Sequence, residues 1–452
     1  MADKFWSKRL YFISLAFCAG INFINGLQLT YLLGIQIFGL WMAIRSASQM
    51  FTGFGGIFNC SLLVLITKKK INNRTLLAIA NTLSLLSLPI YIGIITVIYI
   101  IFRPFSNDFF LPSIVLTLGL ILSGISGINN RAYREGKKLV FGNFADAFLG
   151  LIIMILIYIN KNLILFIYMQ SLRYYLKFFI QIDMNYIFNL NIKKKHILVM
   201  FKLGISIMLR NWLQMITQYG DKMLMALIFG YSISGALALG ANFSLPIIML
   251  LSSVFVFLLP VIIDLGDQDN MINKKLKDQF SELSKLSITL SFLVPVVALF
   301  IKDHINIFII FSGYWISILV NLCQLLSMKY FNKDKIWRST ILLLLCFIAN
   351  YSLIFSIELF LGKILSIELI LFVSVLLLAI FVGIFFWYLS RIAIIMDIFI
   401  LCLIISIQYL ISYIGNKHWI IALSIVIGLI TLLTLNQKYI RLIVSKFLLA
   451  NK

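Results

Sequence analysis

Runs of Leu, Ile, Phe, Val and Met alternate with short polar stretches along the whole chain. A helix needs ~20 apolar residues to cross a hydrocarbon core, and run after run meets that length. The pattern predicts fourteen spans, at 10–33, 37–66, 76–102, 109–128, 139–159, 162–182, 203–229, 233–263, 284–301, 305–328, 338–360, 364–389, 392–414 and 418–436. The loops test this count, because Lys and Arg concentrate on the cytoplasmic side of a membrane. Alternate loops, starting with Lys4, Lys8 and Arg9 and ending with Lys438, Arg441, Lys446 and Lys452, carry 28 cations. The opposite loops carry five: Arg103, Lys161, Lys302, Lys363 and Lys417. Losing one span would scramble the alternation. Both termini are therefore expected in the cytoplasm.

Composition agrees with the pattern. A mean hydropathy of +1.04 and 62% hydrophobic residues far exceed the roughly 45–50% apolar content of soluble domains. The fold class is an all-α polytopic membrane protein. Lys4, Lys8 and Arg9 precede a full-length span without a clear cleavage site, so the first helix is expected to stay as a signal anchor. The net charge of +22 follows topology and does not point to nucleic acid. Cys18, Cys60, Cys323, Cys346 and Cys402 fall in apolar stretches without CxxC spacing, which reads as small apolar filling. His196, His304 and His418 lie far apart, near helix ends. They suggest no metal site.

The longest polar stretch, Asp264–Lys285, is on the cation-rich side. Lys274, Lys277, Phe280 and Leu283 recur at helical spacing, as in an amphipathic surface helix. The preferred reading is a solvated connector between two bundles. The chain also repeats itself: LLGIQIFGLWMAI at 32–44 resembles LIFGYSISGALAL at 227–239, and Gly34 and Gly39 align with Gly230 and Gly235 at an offset of 196 residues. Both copies occupy a short uncharged turn between an odd and an even span. This predicts two parallel six-helix bundles, 1–190 and 200–390, followed by a further helix pair and basic tail at 391–452.

Thirty-three of the 38 Lys and Arg are accounted for by topology; Arg45, Arg173, Lys177, Arg210 and Lys222 are not. Charge at membrane depth costs roughly 2.5–3.5 kcal/mol per residue on insertion scales, so it marks function. These bases sit on polar stripes. The seventh span places Arg210, Asn211, Gln214, Thr217, Gln218, Asp221 and Lys222 within a sector of about 140°. The second span aligns Arg45, Gln49, Thr52, Gly56 and Asn59, and the sixth aligns Gln170, Arg173, Lys177 and Gln181. Ser14, Cys18, Asn22, Asn25 and Gln28 form a milder stripe on the first span, and Asn242, Pro246 and Ser253 mark the eighth. Singly, the neutral residues read more readily as interhelical glue. Lys177 reads equally as a snorkelling side chain near a cytoplasmic end. Acids at depth are few: Asp146, Asp221, Glu368 and Asp397. They are too few to neutralise every base, so a substrate anion is the expected partner of Arg45, Arg210, Lys222, Arg173 and Lys177. Asn25, Gln49, Asn59, Gln214, Gln218 and Asn242 would line the same cavity.

The paired bundles, the GIQIFGLW turn, its echo FGYSISGALALGANFSLP, and RAYREGKKLVFGNFADAFLG at 132–150 resemble polysaccharide and O-antigen (Wzx-type) flippases. These belong to the multidrug/oligosaccharidyl-lipid/polysaccharide (MOP) exporter superfamily. The resemblance covers most of residues 10–390; fourteen spans are similar to the lipid II flippase branch. It implies a V-shaped pair of bundles around a cavity lined by spans one, two, seven and eight. It also implies an isoprenoid-diphosphate-linked oligosaccharide as substrate, such as an O-antigen, capsule or exopolysaccharide repeat unit for lipopolysaccharide or polysaccharide assembly. A bacterial cytoplasmic membrane and a glycan polymerase among the partner proteins follow from the same resemblance. Arg would match the diphosphate oxygens as a fork. No cofactor is expected; Asp221 and Asp146 are the candidates for H⁺ or Na⁺ coupling. A cation-coupled drug exporter is the competing transport reading, disfavoured because bases outnumber acids at depth. An enzyme, such as a glycan polymerase or ligase, is disfavoured by short external loops holding only Asp108, Asp303 and Glu358.

Overall fold

The structure is a computed structural model, and it describes residues 2–52, 56–67, 74–102, 106–132, 135–188, 194–248, 251, 268–295, 306–329, 336–361, 365–413 and scattered positions between 422 and 428. Side chains at some helical positions lie outside this description as well. Among the described residues there are helices and turns, and no strands.

The helices are α1 (Ala2–Leu33), α2 (Ile35–Thr52), α3 (Ile57–Thr67), α4 (Arg74–Phe102), α5 (Phe110–Ala132), α6 (Gly136–Asn160), α7 (Leu163–Gln181), α8 (Lys194–Phe229) and α9 (Tyr231–Phe243). After these come α10 (Asp269–Ser291), α11 (Ile307–Lys329), α12 (Ile336–Leu361), α13 (Ile367–Ser390) and α14 (Ile395–Tyr413). Among the described residues, seven stretches, in α1, α4, α5 with the turn before it, α6, α7, α13 and α14, are long and apolar enough to cross a membrane. The first seven expected spans and the tenth to thirteenth fall on described helices, the second on two of them; much of 233–263, the end of 284–301 and almost all of 418–436 lie outside the described residues. The chain is a multi-span membrane protein.

Local chemistry sets the element ends. Gly34 (φ 88°) and Gly230 (φ 85°) each reverse the chain in a single residue, in a conformation that costs a side chain strain. The aligned glycines of the repeat therefore do the same backbone work. The Asn162 side-chain Oδ1 caps α7 by accepting from the Ile164 and Leu165 amides at 2.9 and 3.2 Å. The second span is not continuous: Gly56 adopts φ 93°, between α2 and α3.

The chain divides into two compact units, Met1–Gly235 and Ala236–Lys452. The first reaches beyond the expected bundle edge at 190 and takes in α8, which packs on α2 and α3. Gly204 allows this, because a Cβ there would strike the Ile57 carbonyl. Clusters such as Leu62, Leu77, Ile79 and Met200 fill this unit. Large apolar side chains at Phe141, Phe148, Ile155 and Ile159 are exposed along α6, as a lipid-facing surface requires.

In the second unit, Gly240 and Gly313 bring α9 and α11 to backbone contact, each glycine against a carbonyl of the other helix, Ile310 and Leu237. The polar stretch expected as a solvated connector is instead helical from Asp269, within α10. Ile272, Leu276, Phe280 and Leu283 on its apolar face are buried, and Phe280 meets Phe386 edge-on at 4.6 Å. That face packs on protein, and the helix runs on into the ninth span. Its Asp264–Asp267 portion lies outside the described residues. The thirteenth span is equally integral. Gln408 on α14 accepts from Trp315 Nε1 at 2.7 Å and donates to Ser291 Oγ at 2.7 Å, while Tyr409 stacks on Phe372 at 4.3 Å.

Candidate functional site

The polar faces of α1 and α6 meet along a parallel seam in the first unit. Asn143 Nδ2 donates to Ser14 Oγ at 3.1 Å, and Cys18 Sγ donates to Asp146 Oδ2 at 2.9 Å. Further along, Asn25 Nδ2 donates to the Gly150 carbonyl at 3.4 Å and Gln28 Nε2 to the Met154 carbonyl at 2.8 Å. Gly150 is required here, since a Cβ would lie 2.6 Å from Ile21 Cγ2 and 3.4 Å from the Arg173 guanidinium carbon.

Arg173 enters this seam from α7 and is only 1% exposed. Its Nε donates to Asp146 Oδ1 at 2.8 Å and to the Asp146 carbonyl at 3.1 Å, and its Nη1 donates to Gln170 Oε1 at 2.8 Å. Lys177, one turn along α7, brings Nζ to 3.8 Å from Asp146 Oδ2. Such pairing is what makes buried charge tolerable. The scarcity of acids thus misled the sequence reading about Arg173: one carboxylate faces two bases, and Arg173 spends its donors within the fold. Lys177, with 22% of its side chain exposed, is held only at the outer limit of an ion pair.

Arg45 projects from α2, which Trp41 fixes to α7 through an edge-on contact with Phe166 at 4.9 Å. It is half-buried, and its Nε is closed off from solvent without a hydrogen-bond partner. Asp146, Cys18, Tyr174 and Tyr219 lie within its electrostatic reach. Asp146, Arg173 and Lys177 therefore form one cluster drawn from α6 and α7, carrying two positive charges against one negative, with Arg45 on α2 as a further positive charge within electrostatic reach of Asp146.

Lys222 is placed differently. Its Nζ lies 2.8 and 2.9 Å from the two carboxylate oxygens of its neighbour Asp221, an ion pair between adjacent residues of α8. Ser234 Oγ donates to the Lys222 carbonyl at 2.7 Å. Tyr219 is within reach of both Arg45 and Asp221. The side chains of Arg210, Gln214 and Gln218 lie outside the described residues. Gln49 and Asn242 are half-buried.

Asn59 belongs elsewhere. Its Nδ2 donates to Asn81 Oδ1 at 2.9 Å and Asn129 Oδ1 at 2.7 Å, and its own oxygen accepts from Ser84 Oγ. Asn129 Nδ2 donates to Asn81 Oδ1 at 2.8 Å, and Asn81 Nδ2 to the Tyr186 carbonyl at 2.9 Å. This closed amide ring ties α3 to α4 and α5. Nearby, at the cation-rich end, Arg74 bridges Glu135 at 2.9 Å and Asp183 at 2.8 Å, and Lys138 reaches Glu135 at 2.9 Å. Sequence reasoning missed both networks. Asn81 and Asn129 carry no charge, and only contact reveals them. Among the described residues no three His, Cys, Asp or Glu side chains gather as metal ligands.

No family model matches the sequence, and no curated protein does. Structure is more informative. The chain superposes on the lipid II flippase MurJ in an inward closed conformation with a TM-score of 0.68, over 96% of this chain and 99% of that one, at 14% identity. It has the MOP-superfamily fold. An inward-facing multidrug resistance MATE family transporter of the MOP superfamily matches at TM-score 0.53 and 14% identity, over 84% of this chain and 95% of its own. A MOP superfamily transporter from Pyrococcus furiosus, described as having a binding pocket of reverse polarity that suggests a different function, matches at 0.50 and 14% identity, over 84% and 93%. These likenesses concern the fold.

Proposed function

We propose that the protein is a flippase for an isoprenoid-diphosphate-linked oligosaccharide. It would carry a surface-polysaccharide repeat unit from the cytoplasmic to the outer leaflet by alternating access. The observation that carries this reading is Arg45: its guanidinium Nε is held without a partner, beside a cluster already in positive excess. A diphosphate oxygen would supply the acceptor that this nitrogen lacks. Arg210 and Lys222, on the polar stripe of α8, belong to the same proposed path.

The fold-level likeness to a lipid II flippase over nearly the whole chain supports the class. Energetics support the direction, since moving one charge across 100 mV is worth about 2.3 kcal/mol and a diphosphate leaves a negative-inside cell downhill. In this reading the protein lies in a bacterial cytoplasmic membrane with its cation-rich loops and both termini inside, and it performs no covalent chemistry. Coupling to H⁺ or Na⁺ through Asp146 or Asp221 would require displacing Arg173 or Lys222 from the carboxylate. A cation-drug exporter on the same fold is less well supported for that reason: both acids at depth in the first eight spans are already paired with bases.

Depleting the protein and assaying isoprenoid-linked oligosaccharide in each leaflet tests the reading. Accumulation on the cytoplasmic side is the expected result. An unchanged distribution would remove it.

A further inference from the structure

Two buried acceptors on α1 have no donor. Asn25 is 5% exposed, and neither its Oδ1 nor the Oε1 of Gln28 has a hydrogen-bond partner, though both atoms are closed off from solvent. Buried polar atoms are nearly always satisfied, so a pair left open asks for a ligand or water. The amide orientation is chemically fixed. Each nitrogen donates to an α6 carbonyl, Gly150 for Asn25 and Met154 for Gln28. Flipping either amide would set oxygen against oxygen.

Residues three apart on a helix share a face, with Cβ atoms ~5–6 Å apart, which suits two hydroxyls of one sugar ring. Electrostatics select hydroxyls over a metal cation: the positive charges of Arg45, Arg173 and Lys177 outweigh the single carboxylate of Asp146 and repel a cation. Gly150 connects the two places: its carbonyl accepts from Asn25, while its Cα faces the Arg173 guanidinium. We infer that Asn25 and Gln28 form a polyol subsite that accepts hydrogen bonds from the sugar next to the diphosphate, an assignment that rests on the flippase reading above.

Binding of three soluble probes to the purified full-length protein tests this: farnesyl diphosphate, farnesyl-diphospho-N-acetylglucosamine, and that conjugate with its hydroxyls O-methylated. Two hydrogen bonds predict that the free sugar tightens binding about tenfold over the bare diphosphate, and that O-methylation abolishes the gain. In Asn25→Leu with Gln28→Leu the sugar increment, read as the ratio of conjugate to bare-diphosphate affinity within the same variant, should be lost. The O-methyl comparison uses unaltered protein, so it stands even where the double variant folds poorly. Equal binding of free and O-methylated conjugates, or an increment retained in a folded double variant, overturns the subsite while leaving the flippase reading intact. If no probe binds the wild type, the diphosphate site fails and the subsite with it.

Discussion

Gly39 on α2 and Gly235 on α9 lie in reciprocal backbone contact. A Cβ on Gly39 would strike the Tyr231 carbonyl oxygen, and a Cβ on Gly235 would strike the Ile35 carbonyl oxygen. Each glycine meets the residue four positions before the other, so the sequence repeat reappears as a symmetric helix crossing. Both residues fall within the first compact unit.

Gly39→Ala and Gly235→Ala should each destabilise the protein by about 1–3 kcal/mol or more, because backbone cannot move aside as a flexible side chain does. Gly20→Ala is the matched control, since nothing lies within 4 Å of a Cβ there. Thermal unfolding of the purified variants in detergent would show a clear loss for the first two only. Equal melting temperatures for all three would contradict the crossing.

Asp146→Ala should be among the most damaging single changes, at about 3–5 kcal/mol, because it strands Arg173 in a buried site. The double replacement Asp146→Leu with Arg173→Met removes both charges and should recover much of that loss. A double variant no more stable than Asp146→Ala would mean that the pair does not set the stability of this seam. Thermal unfolding of both variants decides it.

Arg45→Ala should leave folding nearly intact, since the Nε it removes has no protein partner. If this edge binds a substrate oxygen, surface glycan output should fall roughly tenfold or more, the range of a hydrogen bond to a charged group. Arg45→Lys keeps the charge but loses the fork, so it should rescue only in part. Full-length surface glycan at wild-type level in Arg45→Ala cells would remove Arg45 from the path.

Asn59→Leu should act on stability instead. It orphans Asn129 Oδ1 and the Ser84 hydroxyl, at about 1–3 kcal/mol for each buried polar atom left unpaired. Transport per folded molecule should then be unchanged, which separates this residue from Arg45. Flux normalised to folded protein, measured by fluorescence-detected gel filtration, distinguishes the two roles.

Gln408→Leu tests whether the thirteenth span is structural in the second unit. Trp315 Nε1 would lose its acceptor and Ser291 its donor. A loss of about 1–3 kcal/mol is expected by the same reasoning. A variant as stable as the wild type would mark α14 as dispensable to that core.

The sequence by itself determined the class, the order of spans and the glycine repeat. Spanning helices follow from apolar length and the need to satisfy the backbone without water, and Gly34 and Gly230 are legible because few other residues tolerate a positive φ. The stripes carrying Arg45, Asn59 and Arg173 were legible as well. Their roles were not, because helical periodicity gives a residue's face and never its neighbour. Tertiary structure decided that Asp146, 27 residues away, neutralises Arg173, that Asn59 closes an amide ring, and that α10 buries its apolar face on protein. Each of these outcomes depends on a partner from another helix, and the two polar ones on a partner brought within about 3 Å by packing. That is the range over which hydrogen bonds and ion pairs separate a structural polar residue from one left open for a ligand.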